Sequence, residues 1–233
     1  MNGSRVAIIT GASGGLGRVL APQLAAEGYD LALVGSDAGR LDALRDELGL
    51  DADHTLTLAA DLRDSGAAAG AVDAVYERFG RADALAHLVG GWTGGTNIGR
   101  SPDEPYASMI DQHFWTTLNV VRELAPRMAD AGYGRIVAVS SPMAAAPAAG
   151  MSAYGVGKAA LEALFSGLAQ EVGGSGVTVN VVRVRSIDTD AGEDGSAKAD
   201  ATSPAEISAA IRYLFSPAAR VVNGERIGLH RGI

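Results

Sequence analysis

The stretch VAIITGASGGLG, residues 6–17, decides the fold. Its first five residues are mostly β-branched and apolar, which predicts a buried strand, and a helical apolar spacing follows the glycines. A glycine-rich turn between a strand and a helix brings free N–H groups and the positive end of the helix dipole to a bound anion. The stretch therefore predicts a pyrophosphate-binding loop, with contacts from Gly11, Ser13, Gly15, Leu16 and Gly17.

Short apolar runs alternate with helical patterns along the rest of the chain. Strands are predicted at 6–10, 30–34, 54–59, 83–89, 135–140, 177–182 and 226–229. Helices are predicted at 15–28, 38–48, 67–79, 105–131, 152–173 and 204–215. This alternation is typical of βαβ units. Residues 1–233 are therefore predicted to form one α/β domain, a doubly wound, Rossmann-like parallel sheet of about seven strands with helices on both faces.

Composition excludes several function classes. The chain has 27 acidic and 19 basic residues, a net charge of −8, which argues against a nucleic-acid binder and a polybasic membrane-surface protein. No apolar run approaches the ~18 residues of a membrane span, and the first one is too short for a signal peptide. Cysteine is absent, which excludes disulfides and thiolate chemistry. We expect a cytoplasmic protein that acts on a small molecule, without nucleic-acid or membrane partners.

A candidate catalytic pair lies in the predicted helix 152–173. Tyr154 and Lys158 are four residues apart, so both side chains face one side of that helix. The ammonium is expected to lower the tyrosine pKa, and the pair can then move a proton at a carbonyl or alcohol oxygen. Ser141, at the end of a predicted strand, can hydrogen-bond the same oxygen. Such a pair alone is usually solvated, so the argument depends on its position after the glycine loop.

These features together resemble the short-chain dehydrogenase/reductase family over essentially the whole chain. The pattern Thr-Gly-x-x-x-Gly-x-Gly is present at residues 10–17, and the catalytic serine, tyrosine and lysine match in identity and spacing. Asn180 and residues 187–189 match the segment beside the nicotinamide. The resemblance implies an NAD(P)-dependent oxidoreductase that transfers a hydride between nicotinamide and a carbonyl or alcohol. It implies further cofactor contacts at Ser36, Asp61, Leu62, Gly90, Tyr154, Lys158 and Thr189.

The family also implies the assembly. Its members associate through the helices that correspond to residues 111–128 and 152–168. We therefore expect a homodimer or homotetramer.

The sequence departs from the family at four places. The usual Asn-Asn-Ala-Gly after the fourth strand is replaced by residues 87–90, His-Leu-Val-Gly, and the usual helix asparagine falls at His113. The Pro-Gly after the sixth strand is Val184-Arg185, and the C-terminal Asp-Gly-Gly is residues 230–232. We expect His113 to be a fourth catalytic residue, neutral beside Lys158, that takes over the asparagine's proton relay and adds its own ionisation to the acid side of the kcat profile.

Residues 90–95, with Trp92, and Trp115 give a local resemblance to the dihydropteridine reductase branch. That branch lacks the serine that this chain has at position 141. A pteridine reductase is therefore an alternative, and so is a non-redox member of the fold, either a binding or regulatory protein or a lyase or cyclase. The two tryptophans can wall a flat substrate or pack in the core.

The choice of nicotinamide cofactor depends on the end of the second strand. An acidic residue there suits NAD, and an arginine suits NADP. The two positions hold Gly35 and Ser36, and Asp37 is expected only to cap a helix. Without a carboxylate to repel a phosphate, NADP(H) is favoured over NAD(H). The histidines, at 54, 87, 113 and 230, lack metal-site spacing, so no metal is expected.

Overall fold

The computed structural model describes residues 4–189 and 200–229. Within these ranges seven strands form one sheet, and every neighbouring pair is parallel. The strands are β1 (Arg5–Thr10), β2 (Tyr29–Gly35), β3 (Thr55–Ala59), β4 (Ala84–His87), β5 (Gly134–Ser140), β6 (Val177–Arg183) and β7 (Arg226–Gly228). Their order is β3-β2-β1-β4-β5-β6-β7. From β1 the chain adds strands towards one edge of the sheet up to β3, and from β4 it adds them towards the other edge. Such a switch point leaves a ligand crevice beyond the carboxyl ends of the strands.

Helices cover both faces of the sheet. They are α1 (Gly15–Ala26), α2 (Ala38–Glu47), α3 (Ser65–Phe79), α4 (Glu104–Ile110), α5 (Thr116–Asp130), α6 (Ser152–Glu171) and α7 (Pro204–Phe215). One apolar core lies under α1, α2 and α7, and includes Leu20 and Leu33. The other lies under α3, α5 and α6, and includes Leu124 and Phe165. The predicted doubly wound sheet is confirmed.

Three predicted elements differ in detail. The predicted strand 83–89 is only Ala84–His87 in the sheet. The predicted helix 105–131 is α4, a π-helical turn at Asp111–Trp115, and α5. The predicted last strand has three residues. A π-helical turn shifts the backbone hydrogen bonds by one residue, which apolar periodicity does not reveal, and such turns are frequent at functional sites.

Local signals place the ends of the helices. Asp37 accepts a hydrogen bond from the Arg40 N–H at 2.9 Å, which confirms that it caps α2. Ser203 and Glu206 form a reciprocal capping box ahead of Pro204, the first residue of α7. The described residues do not include His230, which lies in 230–233, or residues 190–199 of the expected substrate loop. In the described part of the chain, no helix combines the length and apolar character needed to cross a bilayer.

Candidate active site

Two adjoining cavities occupy the carboxyl end of the sheet. The central cavity, about 500 Å³, is lined by Tyr154 and Lys158 and extends to Thr189. The distal cavity, about 450 Å³, is lined by Ser36, Asp61 and Leu62. Both include Gly11, Gly14, Leu88 and Gly90, so they form one continuous groove across the switch point.

The glycine loop is shaped as a cradle in the floor of this groove. Gly11 has φ +69°, and a Cβ there would lie 3.0 Å from the Leu88 carbonyl carbon. A Cβ on Gly17 would lie 2.2 Å from the Ala12 oxygen, so both positions require glycine. All five loop residues that the sequence indicated line the groove. With the first turn of α1 opening beside it, the cradle fits the diphosphate of a dinucleotide.

The end of the distal cavity holds an ion pair that the sequence did not indicate. The Arg63 guanidinium donates to Asp61 through Nε at 2.9 Å and Nη2 at 2.6 Å, and holds the pKa of that carboxyl below its usual value. Asn119 Nδ2 donates to the carbonyls of Leu62 and Arg63, at 3.0 Å each, and so fixes this loop to α5. Asp61 and Arg63 both line the distal cavity.

Tyr154 and Lys158 line the central cavity, and Ser141 hydrogen-bonds Tyr154. The Ser141 side chain is fully buried, and its oxygen accepts the Met143 N–H at 3.3 Å, which leaves its own hydrogen free to donate. Lys158 is buried, and Nζ donates to the Val139 carbonyl at 2.9 Å. Nζ also lies 5.8 Å from the centre of the Tyr154 ring, so helix α6 presents both side chains on one face, as predicted.

The ionisation of Tyr154 differs from the expectation. Burial raises its pKa, and the hydrogen bond with Ser141 lowers it by less. The Lys158 ammonium does not lower the tyrosine pKa in this structure. Burial lowers the pKa of Lys158 to about 8, although the nearby carboxylate of Glu162 raises it. Tyr154 is therefore a phenol at neutral pH.

His113 lies beside Lys158, as predicted. Its Nε2 donates to the Gly91 carbonyl at 3.0 Å, so Nδ1 is an acceptor. This Nδ1 and the Lys158 Nζ lie 3.0 and 3.6 Å from the point where a Cβ on Gly90 would stand. Burial, followed by the Lys158 charge, lowers the His113 pKa to about 3. The imidazole is neutral, as expected, but the expected contribution to the acid limb of the kcat profile is wrong, because its ionisation lies far below pH 7.

His87, in the place of the family's first asparagine, is a second buried neutral imidazole. Thr117 donates its hydroxyl hydrogen to the His113 carbonyl at 2.5 Å, so its oxygen accepts from His87 Nε2 at 3.0 Å. Nδ1 of His87 then accepts from the Thr10 hydroxyl at 2.9 Å. Burial, followed by the Lys158 charge, lowers the His87 pKa to about 3. This network ties the end of β4 to β1 and to the π-helical turn.

Of the two tryptophans and the two arginines near β6, one of each lines the central cavity. Trp92 is 64% exposed and lines the central cavity, whereas Trp115, 42% exposed, lines neither cavity, and neither packs in the core. Arg183 pairs with Glu162, and Arg185 lines the central cavity.

Within the described residues, no group of three or more histidine and acidic side chains could hold a metal ion.

Comparisons with known proteins agree with this geometry. The chain is 30% identical over 231 residues to the hydroxy(phenyl)methyl-succinyl-CoA dehydrogenase subunit BbsC of Thauera aromatica, over 96% of this chain and 92% of that protein. It is 28% identical over 240 residues to the 3-oxoacyl-(acyl-carrier-protein) reductase FabG of Escherichia coli K12, over 98% and 97% of the two chains. A solved short-chain type dehydrogenase/reductase from Mycobacterium ulcerans superposes with a TM-score of 0.88 at 28% identity, over 98% and 91%.

A family model, described as short chain dehydrogenase, matches residues 5–200, which include the glycine loop and the catalytic serine, tyrosine and lysine. The chain therefore belongs to the short-chain dehydrogenase family and is an NAD(P)-dependent oxidoreductase with a Rossmann-like fold.

Proposed function

We propose that this enzyme reduces a carbonyl compound with NADPH, and that Tyr154 is the proton donor. The observation that supports the roles is that Tyr154 and Lys158 line a cavity continuous with the glycine cradle, while the buried Ser141 hydrogen-bonds Tyr154 from behind the cavity wall. The reverse oxidation uses the same groups in the opposite order.

The bound nicotinamide supplies the hydride to the carbonyl carbon. Negative charge then develops on the carbonyl oxygen, and Tyr154 transfers its phenolic proton to it. Because burial raises the Tyr154 pKa, the tyrosine holds this proton at neutral pH, which suits the direction of reduction. Ser141 donates a hydrogen bond to the same oxygen, and the positive charge of Lys158 in the same cavity stabilises the negative charge that develops there. Lys158 also has N–H groups beyond the one given to Val139 that can hold the nicotinamide ribose.

We assign His113 a positioning role next to Lys158. Its Nδ1 is a neutral acceptor in a buried pocket, so it can accept a hydrogen bond from a water that returns a proton to Lys158. Its carbonyl is fixed by the Thr117 hydroxyl, which keeps the π-helical turn in place. This relay is a replacement for the family's asparagine rather than an added acid.

Two features of the distal cavity favour NADP(H) over NAD(H). Gly35 and Ser36 supply no carboxylate where an NAD enzyme has one, and the Ser36 hydroxyl can donate to a phosphate. The carboxylate that does line the cavity, Asp61, is already paired with Arg63. Ser13, Leu62, Gly90 and Thr189 complete the proposed cofactor contacts.

A binding and turnover experiment tests this function. NADPH and NADH are titrated against tryptophan fluorescence, and ketones, quinones, pteridines and acyl thioesters are then screened at the NAD(P)H absorbance band. We expect NADPH to bind more tightly than NADH and at least one carbonyl class to be reduced. Failure of both cofactors to bind would contradict the proposal and favour the non-redox alternative. If pteridines are the only compounds that are reduced, the second candidate function, a pteridine reductase, is favoured; the exposed Trp92 in the central cavity supports this candidate.

The assembly and the location of the protein remain predictions from the sequence. We propose a homodimer or homotetramer formed through α5 and α6. Val156 on α6 is an apolar side chain that is 45% exposed, and Trp115, the last residue of the π-helical turn before α5, is 42% exposed. A cytoplasmic location is part of the same proposal.

A further inference from the structure

Arg185 gives the central cavity a positive charge that the proposed mechanism does not use. Arg185 is exposed and lines the cavity together with Tyr154 and Lys158, and no Asp or Glu is among the described residues that line it. Within residues 4–189 and 200–229, the Arg185 guanidinium has no carboxylate and no hydrogen-bond acceptor. A guanidinium carries five N–H donors in a planar fork that matches a carboxylate.

The position of Arg185 follows from its neighbour Arg183. The Arg183 guanidinium is paired with Glu162 on α6, through Nε at 2.8 Å and through Nη2. Strand β6 ends at Arg183, and the chain bends at Arg185. Arg185 therefore lies just beyond the carboxyl end of β6, where it lines the central cavity with Tyr154 and Lys158.

Two exposed apolar side chains also line the cavity. Trp92 exposes 64% of its surface and Ile187 exposes 38%, although both are large apolar residues. The segment that follows Trp92 is held against the loop before α6, because the Gly95 N–H donates to the Gly150 carbonyl at 2.8 Å. An indole face exposed in a cavity packs favourably on a planar ring.

We infer that the substrate is a ring-containing carbonyl compound with a carboxylate, which Arg185 binds while Trp92 packs on the ring. This inference rests on the proposed carbonyl reduction and names its substrate class. The paired arginine, Arg183, has no such role because Glu162 neutralises it. The cation of Lys158 is also unavailable, because Nζ is committed to Val139 and to the catalytic groups.

The experiment compares matched anionic and neutral ligands on the enzyme saturated with NADP⁺, by calorimetric titration. The pairs are phenylglyoxylate with its methyl ester, and 2-naphthoate with 2-naphthamide. We expect the anion of at least one pair to bind about tenfold more tightly or better, the contribution of a charge-assisted hydrogen bond. Arg185→Gln should remove this advantage, and Arg220→Gln, which removes an exposed charge outside both cavities, should retain it.

The aromatic part of the inference has its own variants. Trp92→Ala should weaken both members of a pair by a similar factor, and Trp92→Phe should weaken them less. Equal affinity of the anion and its neutral partner, absence of binding by every ligand, or an anion advantage that persists in Arg185→Gln would each overturn the inference. So would a loss of NADP⁺ affinity in Arg185→Gln that accounts for the whole effect. None of these results depends on Tyr154, so carbonyl reduction stands or fails separately, by turnover.

Discussion

Lys158 is the residue whose charge most depends on its surroundings. It is buried next to two neutral imidazoles, His87 and His113, while Tyr154 and Glu162 lie one turn away on either side of it along α6. Glu162 is itself buried and accepts hydrogen bonds from the Ser140 hydroxyl at 2.8 Å and from Arg183 and Arg226. Its carboxylate offsets part of the cost of burying the ammonium. Glu162 is therefore a positioning residue that keeps Lys158 charged.

Replacing this carboxylate should move the alkaline limb of the kcat–pH profile to lower pH. In Glu162→Gln the Lys158 pKa, already lowered to about 8, should fall by about one further unit, so activity should be lost at lower pH. The measurement is kcat against pH at saturating NADPH. Glu171→Gln, which removes an exposed carboxylate at the end of the same helix, is the control. An alkaline limb at the same pH in Glu162→Gln and in wild type would show that Glu162 does not set the charge of Lys158.

A second residue-scale prediction concerns the cofactor. Gly35→Asp places a carboxylate at the end of β2, where it repels a phosphate and accepts from ribose hydroxyls. We expect NADPH to bind about tenfold more weakly and NADH to bind more tightly, by fluorescence titration. Gly70→Asp adds the same charge at an open position on α3 and should change neither affinity. An unchanged NADPH affinity in Gly35→Asp would remove the argument for NADP(H).

For individual residues, the sequence predicted which side chains lie close together, but it did not predict their pKa values. The glycine pattern indicates the phosphate loop, spacing puts Tyr154 and Lys158 on one helix face, and the predicted strand end places Ser141 near them. The raised pKa of Tyr154 depends on its burial, and the lowered pKa of Lys158 on the packing around α6. The pairing of Arg63 with Asp61 depends on the loop conformation. These are tertiary properties, which identity and spacing do not contain.

Among the elements, the π-helical turn and β4 depend on each other. The turn places His113 next to Lys158, and Thr117 at the start of α5 bridges it to His87 at the end of β4. Apolar periodicity indicated one helix over 105–131 because the turn adds a residue without interrupting the apolar face. Strand β4 ends at His87, and the next residue, Leu88, is closely approached by Gly11 of the glycine loop.

The buried histidines of this unit should make the fold sensitive to acid. Both have a pKa of about 3 in the folded protein, below the usual 6.5, so the unfolded chain binds more protons between these values. The contribution of these histidines to the free energy of unfolding should therefore be fully present above pH 6.5 and should decrease as the pH falls towards 3. The loss is about 1.4 kcal/mol per pH unit for each histidine.

Chemical denaturation at several pH values between 4.5 and 7 measures this loss. His87→Asn should flatten the dependence by roughly half, since one of the two buried imidazoles is removed. His54→Asn should not flatten it, because the exposed His54 is paired with Asp30, which raises its pKa instead. If His87→Asn and wild type lose stability in parallel as the pH falls, His87 is not the buried neutral group described here.

For the whole molecule, the sheet order determines where chemistry can occur. The switch between β1 and β4 opens the groove, and every proposed cofactor and catalytic residue comes from a loop or helix at that edge. This level was the most predictable, because alternating periods of two and 3.6 along the chain specify a parallel α/β sheet. The outer faces of α5 and α6 were predictable only through the family, since exposure is a property of the assembled surface.

The assembly prediction is tested on one of those faces. We expect wild type to be a dimer or tetramer by light scattering at micromolar concentration. Val156→Asp should shift it towards monomer, because the charge would be buried against a second copy. Val221 is 81% exposed outside α5 and α6, and Val221→Asp should leave the mass unchanged. A monomeric wild type would contradict the prediction.

The most direct test of the account is the reduction of its best carbonyl substrate by Tyr154→Phe, followed in single turnovers with NADPH bound. The substitution removes the phenolic hydroxyl and keeps the ring that packs against His113. The account predicts NADPH affinity close to wild type and a hydride-transfer rate lower by about 10²–10⁴-fold, the usual contribution of general acid catalysis. Lys158→Ala should instead lose both rate and NADPH affinity. A Tyr154→Phe enzyme that transfers hydride at the wild-type rate would contradict the central claim.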